Sequence, residues 1–301
     1  MADGRFAPSP TGPLHLGNLR TAVAAWLFAR AAGSRFLVRM EDLDRIQASQ
    51  ANEDAQLADL AALGLDWDGE VVRQSERFDR YEAAIADLSA VGLTYPCYCT
   101  RREIREAASA PHGDEPDLSY PGTCRDLAGP DRVRHELDGR PPALRLRTDG
   151  SVVTVDDLLL GPVAARLDDV VLRRNDGVPA YNLAVVVDDA DQGVQQVVRA
   201  DDLASSAPRQ RHLALLLGLP PVSYAHIPLV LGPDGERLAK RHGAVTLAHL
   251  SAAGVGSAAV RRSILASLGL PDATDLPGAA SLFDPARLPR SPVRIDEMLR
   301  R

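Results

Sequence analysis

The segment from Arg5 to Asn18 constrains the fold most. A short run, Arg5-Phe6-Ala7, stops at Pro8-Ser9-Pro10-Thr11-Gly12-Pro13, where three prolines in six residues exclude a helix and force an extended or turning loop. After Gly17, the residues Leu19, Val23, Trp26 and Leu27 fall at i, i+4, i+7 and i+8, a helical period that closes near Gly33. Arg35 to Glu41 then reads as a strand. Strand, loop, helix and strand make a βαβ unit, which demands a parallel sheet with a right-handed crossover. The fold class expected is therefore α/β. With 301 residues, 45% hydrophobic and 25% charged, the composition is globular, and the length suits two domains or one large domain with insertions.

Farther along, helical patterns cover residues 49–64 and 76–92. From Tyr95 to about Pro130 the pattern dissolves into Cys, Gly, Pro, Asp and Ser, which reads as an insertion held by something other than a core. β-rich runs return at Val152–Val155, Val170–Arg174, Leu183–Val187 and Val194–Arg199. A helix is expected over Ser205–Leu217, a strand over Ile227–Leu231, and helical then Pro-rich sequence from residue 246. These shifts predict four parts: 1–94 and 166–245 as two halves of one sheet domain, 95–165 as the insertion, and 246–301 as a helical segment.

The N-terminus has no basic or apolar leader pattern, and the apolar stretch Leu213–Leu231 is broken by Pro220, Pro221 and His226. A cytoplasmic protein with no membrane partner is expected. A formal charge of −7 gives no global pull toward nucleic acid, so a polyanion would need local arginines, such as those at 209–211, 261–262 and 287–301. A solvated arginine face explains those positions equally well.

Ligands of open α/β sheets lie beyond the carboxyl ends of the strands, where the proline loop falls. The helix after Gly17 aims its free N–H groups there, suited to phosphate, and His15 adds a donor. Neither GxxxxGK[ST] nor GxGxxG occurs. Arg5, Glu41 and Arg199 each end a strand-like run, and arginine grips carboxylates through paired hydrogen bonds. Asp188-Asp189 reads as a structural acid pair in preference to a metal site. Cys97, Cys99 and Cys124 offer three soft ligands where zinc takes four; on general grounds His112 would be the fourth, with Tyr120 the other candidate. Of 34 basic residues only Lys240 is lysine; genomic bias explains the arginines but not the exception.

Ala7-Pro8-Ser9-Pro10-Thr11-Gly12 with His15-Leu16-Gly17-Asn18 resembles the HIGH signature of class I aminoacyl-tRNA synthetases, in its glutamyl/glutaminyl form. Arg237-Leu238-Ala239-Lys240-Arg241 resembles their KMSKS signature, about 220 residues later. Asn18 replaces the last His of the first signature, and Arg237 and Ala239 replace a Lys and a Ser of the second. The resemblance implies a Rossmann-type catalytic domain that activates L-glutamate with ATP and Mg²⁺. It assigns catalysis to His15 and Lys240, and ATP to His15, Gly17, Asn18, Lys240 and Arg241. It assigns glutamate to Arg5, Phe6, Ala7, Pro8, Ser9, Glu41, Tyr181 and Arg199. A lysine on a Gly-rich loop can follow moving phosphates as a point charge, which a planar guanidinium does less well.

Within the family, Cys97, Cys99, Tyr120 and Cys124 match the Cys-x-Cys…Tyr-x3-Cys zinc site of one subgroup, implying one structural Zn²⁺ per chain and preferring Tyr120 to His112. Sixty residues follow Arg241, too few for an anticodon-binding domain. The resemblance thus narrows to the glutamyl-Q tRNA(Asp) synthetases, which transfer glutamate to queuosine in the anticodon loop of tRNA(Asp). A monomer is expected. The alternatives are a truncated enzyme charging a tRNA 3′ end and an inactive RNA-binding paralogue.

Overall fold

A computed structural model of the chain describes residues 2–100, 102–104, 120–236, 238 and 245–299. Strand β1 (Gly4–Phe6), helix α1 (Leu16–Ala31) and strand β2 (Phe36–Met40) form the expected βαβ unit, with Arg5 paired in parallel beside Leu37. Helix α2 (Gln50–Ala62), strand β3 (Val72–Arg73) and helix α3 (Phe78–Ala90) follow.

The strands β6 (Val152–Asp157), β7 (Gly161–Arg166), β9 (Gln196–Ala200) and β10 (Ser223–Ile227) complete a seven-stranded sheet in the order β3-β2-β1-β9-β10-β6-β7. All its pairings are parallel except the β6–β7 hairpin. The strand order reverses between β1 and β9, so the connections leaving those two strands diverge and open a crevice. The proline loop leaves β1 at that crevice, and Arg199 sits in β9.

A separate antiparallel sheet joins β4 (Thr94–Cys97), β5 (Ala143–Leu146) and β8 (Val171–Arg173). The span 95–165 is thus shared: β5 belongs to this small sheet, whereas β6 and β7 return to the large one.

Two strand expectations are corrected. Leu183–Val187 lies inside a helix, Tyr181–Asp191, not a strand. Its apolar run is buried without a visible period, and burial on all sides erases the pattern that separates a core helix from a core strand. The strand expected over Ile227–Leu231 is displaced: β10 ends at Ile227, and Val230–Leu231 forms a short strand β11 paired with β12 (Val293–Arg294). Pro228 lies between them, and its missing N–H stops the ladder.

Helix α1 is buried almost all round, from Leu16 to Ala29. One side faces β1 and β9, while the helices Ser257–Ser267 and Leu276–Leu282 cover the rest. Phe28 meets Phe283 edge to face at 5.1 Å. Inside this packing Arg20 donates to the Pro228 carbonyl at 2.7 Å and to the Ser267 side chain at 3.1 Å. Burial pulls its guanidinium down to about 10, against the charge of Asp201, and it stays cationic at neutral pH.

Asp188 and Asp189 tie the sheet to the helices around it. The Asp188 carboxylate accepts from Gln74 (2.8 Å), Arg77 (2.6 Å) and Tyr81 (2.9 Å). Asp189 accepts from Arg5 (3.2 Å) on β1 and Arg39 (2.8 Å) on β2. Both carboxylates are taken up by neighbouring side chains, in line with the reading of the pair as structural. Burial alone would raise the Asp189 carboxyl, but the charges of Arg5 and Arg39 and their hydrogen bonds hold it below the usual range. A depressed carboxyl contributes stability that is complete above the unfolded value of about 3.9 and is lost as pH falls through the folded one. Asp189→Asn, which leaves buried guanidinium charge uncompensated, is expected to cost about 3–5 kcal/mol at pH 7. It should also flatten the acid limb of stability below about pH 4. Denaturant melts across that range check both, and an unchanged acid limb would refute the assignment.

Candidate active site

A cavity of about 410 Å³ opens at the switch point. Arg5, Phe6, Ala7, Pro8, Ser9, His15, Gly17, Asn18, Glu41, Tyr181 and Arg199 all line it, so the structure brings together every described residue expected there. Lys240 and Arg241 lie outside the described residues. Leu238 lines the cavity; on the far side of the intervening segment, the Val245 carbonyl accepts from the Leu16 N–H at 2.9 Å and Thr246 bridges to His15.

The proline loop keeps its shape by accepting hydrogen bonds. Gln56 on α2 donates to the carbonyls of Ser9 (3.0 Å) and Gly12 (2.7 Å), and Asn52 donates to that of Pro10 (3.2 Å). The Glu41 N–H donates to the Pro8 carbonyl at 2.8 Å, and Ser9 Oγ donates back to the Glu41 carbonyl at 2.9 Å. Loop and β2 end are thereby locked together.

His15 caps α1. Its Nδ1 accepts from the Asn18 N–H and its own N–H donates to Asn18 Oδ1, both at 3.2 Å, so a neutral ring carries its proton on Nε2. Asn18, where the signature has a second His, thus completes a capping box. A Cβ on Gly17 would come within 2.9 Å of the His15 ring, so glycine is required for the ring to lie over the helix start.

The two pocket arginines differ in charge balance. Arg5 makes two bonds to the Asp189 carboxylate. Arg199 meets only neutral groups among the described residues: His226 Nε2 (2.9 Å), Gln210 Oε1 (2.9 Å), the Tyr181 hydroxyl (3.3 Å) and the Leu203 carbonyl (3.3 Å). Glu41, beside the buried Arg39, has its carboxyl raised by burial, with Asp189 and Asp188 adding to it against the pull of Arg39 and Arg5. Burial and the nearby Glu41 likewise raise the Tyr181 hydroxyl, which keeps its proton.

Arg39, Asp157, Gln210 and His226 escaped the sequence reading. Arg39 is a charged residue inside the otherwise apolar β2, and that intrusion was its only available signal; His226 interrupts the apolar stretch that runs to Leu231.

The sulfurs of Cys97, Cys99 and Cys124 lie within 4.8 Å of one another, the one such cluster found among the described residues. The Tyr120 hydroxyl lies 3.3 Å from Cys97 Sγ and 3.9 Å from Cys99 Sγ, and Cys99 and Cys124 are 3.4 Å apart. Ligands about 2.3 Å (sulfur) and 2.0 Å (oxygen) from a tetrahedral zinc stand about 3.5–3.8 Å apart, so the three cysteines could hold a metal ion and these separations are near those of such a site. His112 lies outside the described residues. The Arg145 guanidinium stacks 3.6 Å from the Tyr120 ring centre.

A second cleft, about 990 Å³, shares Ser9, Glu41 and Tyr181 with the first and runs to Cys97 and Cys99 past Arg140, Arg145 and Arg174. Several arginines considered for phosphate contact have other partners: Arg209 bonds Asp168 (2.6 Å), Arg261 the Leu63 carbonyl (3.3 Å), and Arg294 Asp296 (3.2 Å). Among the described residues no helix is long and apolar enough to cross a membrane.

The family model for class I tRNA synthetases (E and Q), catalytic domain, matches residues 2–275. A glutamyl-Q tRNA(Asp) synthetase of Nocardia farcinica is 61% identical over 96% of this chain and 91% of its own length. One of Cutibacterium acnes is 57% identical over 91% and 78%. Among solved structures, a glutamate tRNA ligase from Elizabethkingia meningosepticum aligns with a TM-score of 0.83 over 99% of this chain and 68% of its own, at 24% identity, a likeness of fold. The chain belongs to the class I tRNA synthetases of the glutamyl and glutaminyl type and is a class I aminoacyl-tRNA synthetase-like ligase.

Proposed function

We propose that this enzyme activates L-glutamate with ATP and transfers it to queuosine in the anticodon loop of tRNA(Asp). The observation that carries the glutamate step is the cavity itself: Arg199, which has no acidic partner among the described residues, faces the same space as Glu41 and the helix start at His15. Arg199 takes the substrate's side-chain carboxylate, while Glu41 and the Tyr181 hydroxyl receive its ammonium. Arg5, held by Asp189, lends its outer face. The α-carboxylate then attacks the α-phosphorus of ATP and pyrophosphate leaves. His15, through its outer Nε2–H, and the Gly17 N–H steady the phosphates beside Asn18, with Lys240 and Arg241 following the departing pyrophosphate. Mg²⁺ arriving with ATP supplies further charge neutralisation. The relatives named glutamyl-Q tRNA(Asp) synthetase support queuosine as the acceptor, and the arginine-lined second cleft, which shares Ser9, Glu41 and Tyr181 with the first, is the route by which it enters. Cys97, Cys99, Tyr120 and Cys124 hold one structural zinc that substitutes for a core in the insertion.

The purified protein is expected to catalyse glutamate-dependent ATP–pyrophosphate exchange without tRNA; no exchange at saturating glutamate and Mg²⁺ would sink the proposal. Lys240→Ala should slow activation by about 10²–10³, as for loss of one preorganised charge donor. Labelled glutamate should appear on tRNA(Asp) that carries queuosine and not on unmodified tRNA(Asp), whereas label on both would indicate charging of the 3′ end. Metal analysis should find about one zinc per chain, lost in Cys124→Ser; a metal-free wild type would leave three plain thiols.

A further inference from the structure

Behind Arg199 stands a chain of buried groups that touch no part of the cavity. Arg199 Nε donates to His226 Nε2 at 2.9 Å, and His226 Nδ1 lies 2.6 Å from Asp157 Oδ2. Both His226 and the Asp157 carboxylate are fully shielded from solvent. The geometry determines the proton's place. Because Nε2 accepts from a guanidinium, which can only donate, the single proton of a neutral ring sits on Nδ1 and faces Asp157. The other oxygen, Asp157 Oδ1, accepts the backbone N–H groups of Leu159 (2.9 Å) and Leu160 (3.0 Å), and the His226 N–H is shared between Oδ1 (3.2 Å) and Oδ2 (3.1 Å); together they pin the carboxylate.

We propose that Asp157 and His226 are positioning residues that hold Arg199 as an unneutralised cation for the substrate's side-chain carboxylate, a role that rests on the glutamate reading of the cavity. Asp157 selects the imidazole tautomer, and that tautomer gives Arg199 a neutral acceptor where a carboxylate would cancel its charge. Arg5 shows the contrast, since Asp189 pairs with it directly. With Nε on His226, Nη1 on Gln210 and Tyr181, and one Nη2 hydrogen on Leu203, one donor of the five remains for substrate. The chain thus sets both the charge and the orientation of the group that separates a glutamate from an uncharged side chain.

Asp157→Asn tests this with a change of one atom. Its carbonyl is bound to the side where the Leu159 and Leu160 N–H groups converge, so its amide faces His226 Nδ1 and drives the proton to Nε2, against the Arg199 donor. The KM for glutamate in pyrophosphate exchange is expected to rise about tenfold or more, with kcat and the KM for ATP within about twofold of wild type. The preference for glutamate over glutamine should fall in step with that rise. Asp156→Asn, an exposed neighbour on the same strand, is the control and should match wild type. Nitrogen NMR of the wild-type protein should show His226 protonated on Nδ1, which needs no variant to fold. An unchanged glutamate KM, an equal rise in both KM values, or a wild-type Nε2–H tautomer would each overturn the proposal. A wild type without glutamate-dependent exchange overturns the glutamate reading itself, while the tautomer still reports separately on the Asp157–His226–Arg199 chain.

Discussion

The interaction on which the rest depends is the buried contact between the acid pair Asp188-Asp189 and the guanidinium groups around it. Arg5 on β1, Arg39 on β2 and Arg77 before α3 all converge on two adjacent carboxylates of one helix. Hydrogen bonds inside a strand hold it only to its neighbours. These bonds instead fasten two adjacent parallel strands to a helix about 150 residues away in sequence. Because a buried carboxylate without partners is costly, the helix can dock in only one register. That register also delivers Tyr181, at the first turn of the same helix, to the cavity.

The same electrostatics sort the two arginines of the pocket. Arg5 is an element of the scaffold, its charge consumed by Asp189, and only its remaining surface reaches the cavity. Arg199 is buried to a similar degree but bonded to an imidazole, an amide, a phenol and a carbonyl. A cation kept from water without an anion is a poor contributor to stability and a strong receptor for one. The cost of holding it is spread over these four neutral acceptors.

Much of the site was legible in the sequence because it is local. The proline loop, the His15 cap and the helix start occupy one continuous stretch, and their chemistry follows from residue type and order. Arg5, Glu41 and Arg199 were readable as strand ends, since such ends face ligands in this fold. The helix Tyr181–Asp191 was not readable, because a run buried on all sides has no polar face to mark its period. Asp157 and His226 were missed for a related reason. Each is a polar residue in a strand with other polar residues, and only the pairing of β10 with β6 makes them partners.

The sequence by itself determined the βαβ opening, the α/β class, the three sulfur donors and the pocket positions of Arg5, His15, Glu41 and Arg199, because these rest on short-range pattern and on residue chemistry; Phe6 to Ser9 and Tyr181 were expected there from the family resemblance. Only the tertiary structure decided that β6 and β7 extend the large sheet, that Tyr120 stands among the cysteines, and that Arg199 and not Arg5 lacks an acidic partner among the described residues. Those outcomes depend on which side chains meet across long loops, and whether a charge is cancelled or kept is a property of the meeting, not of either residue.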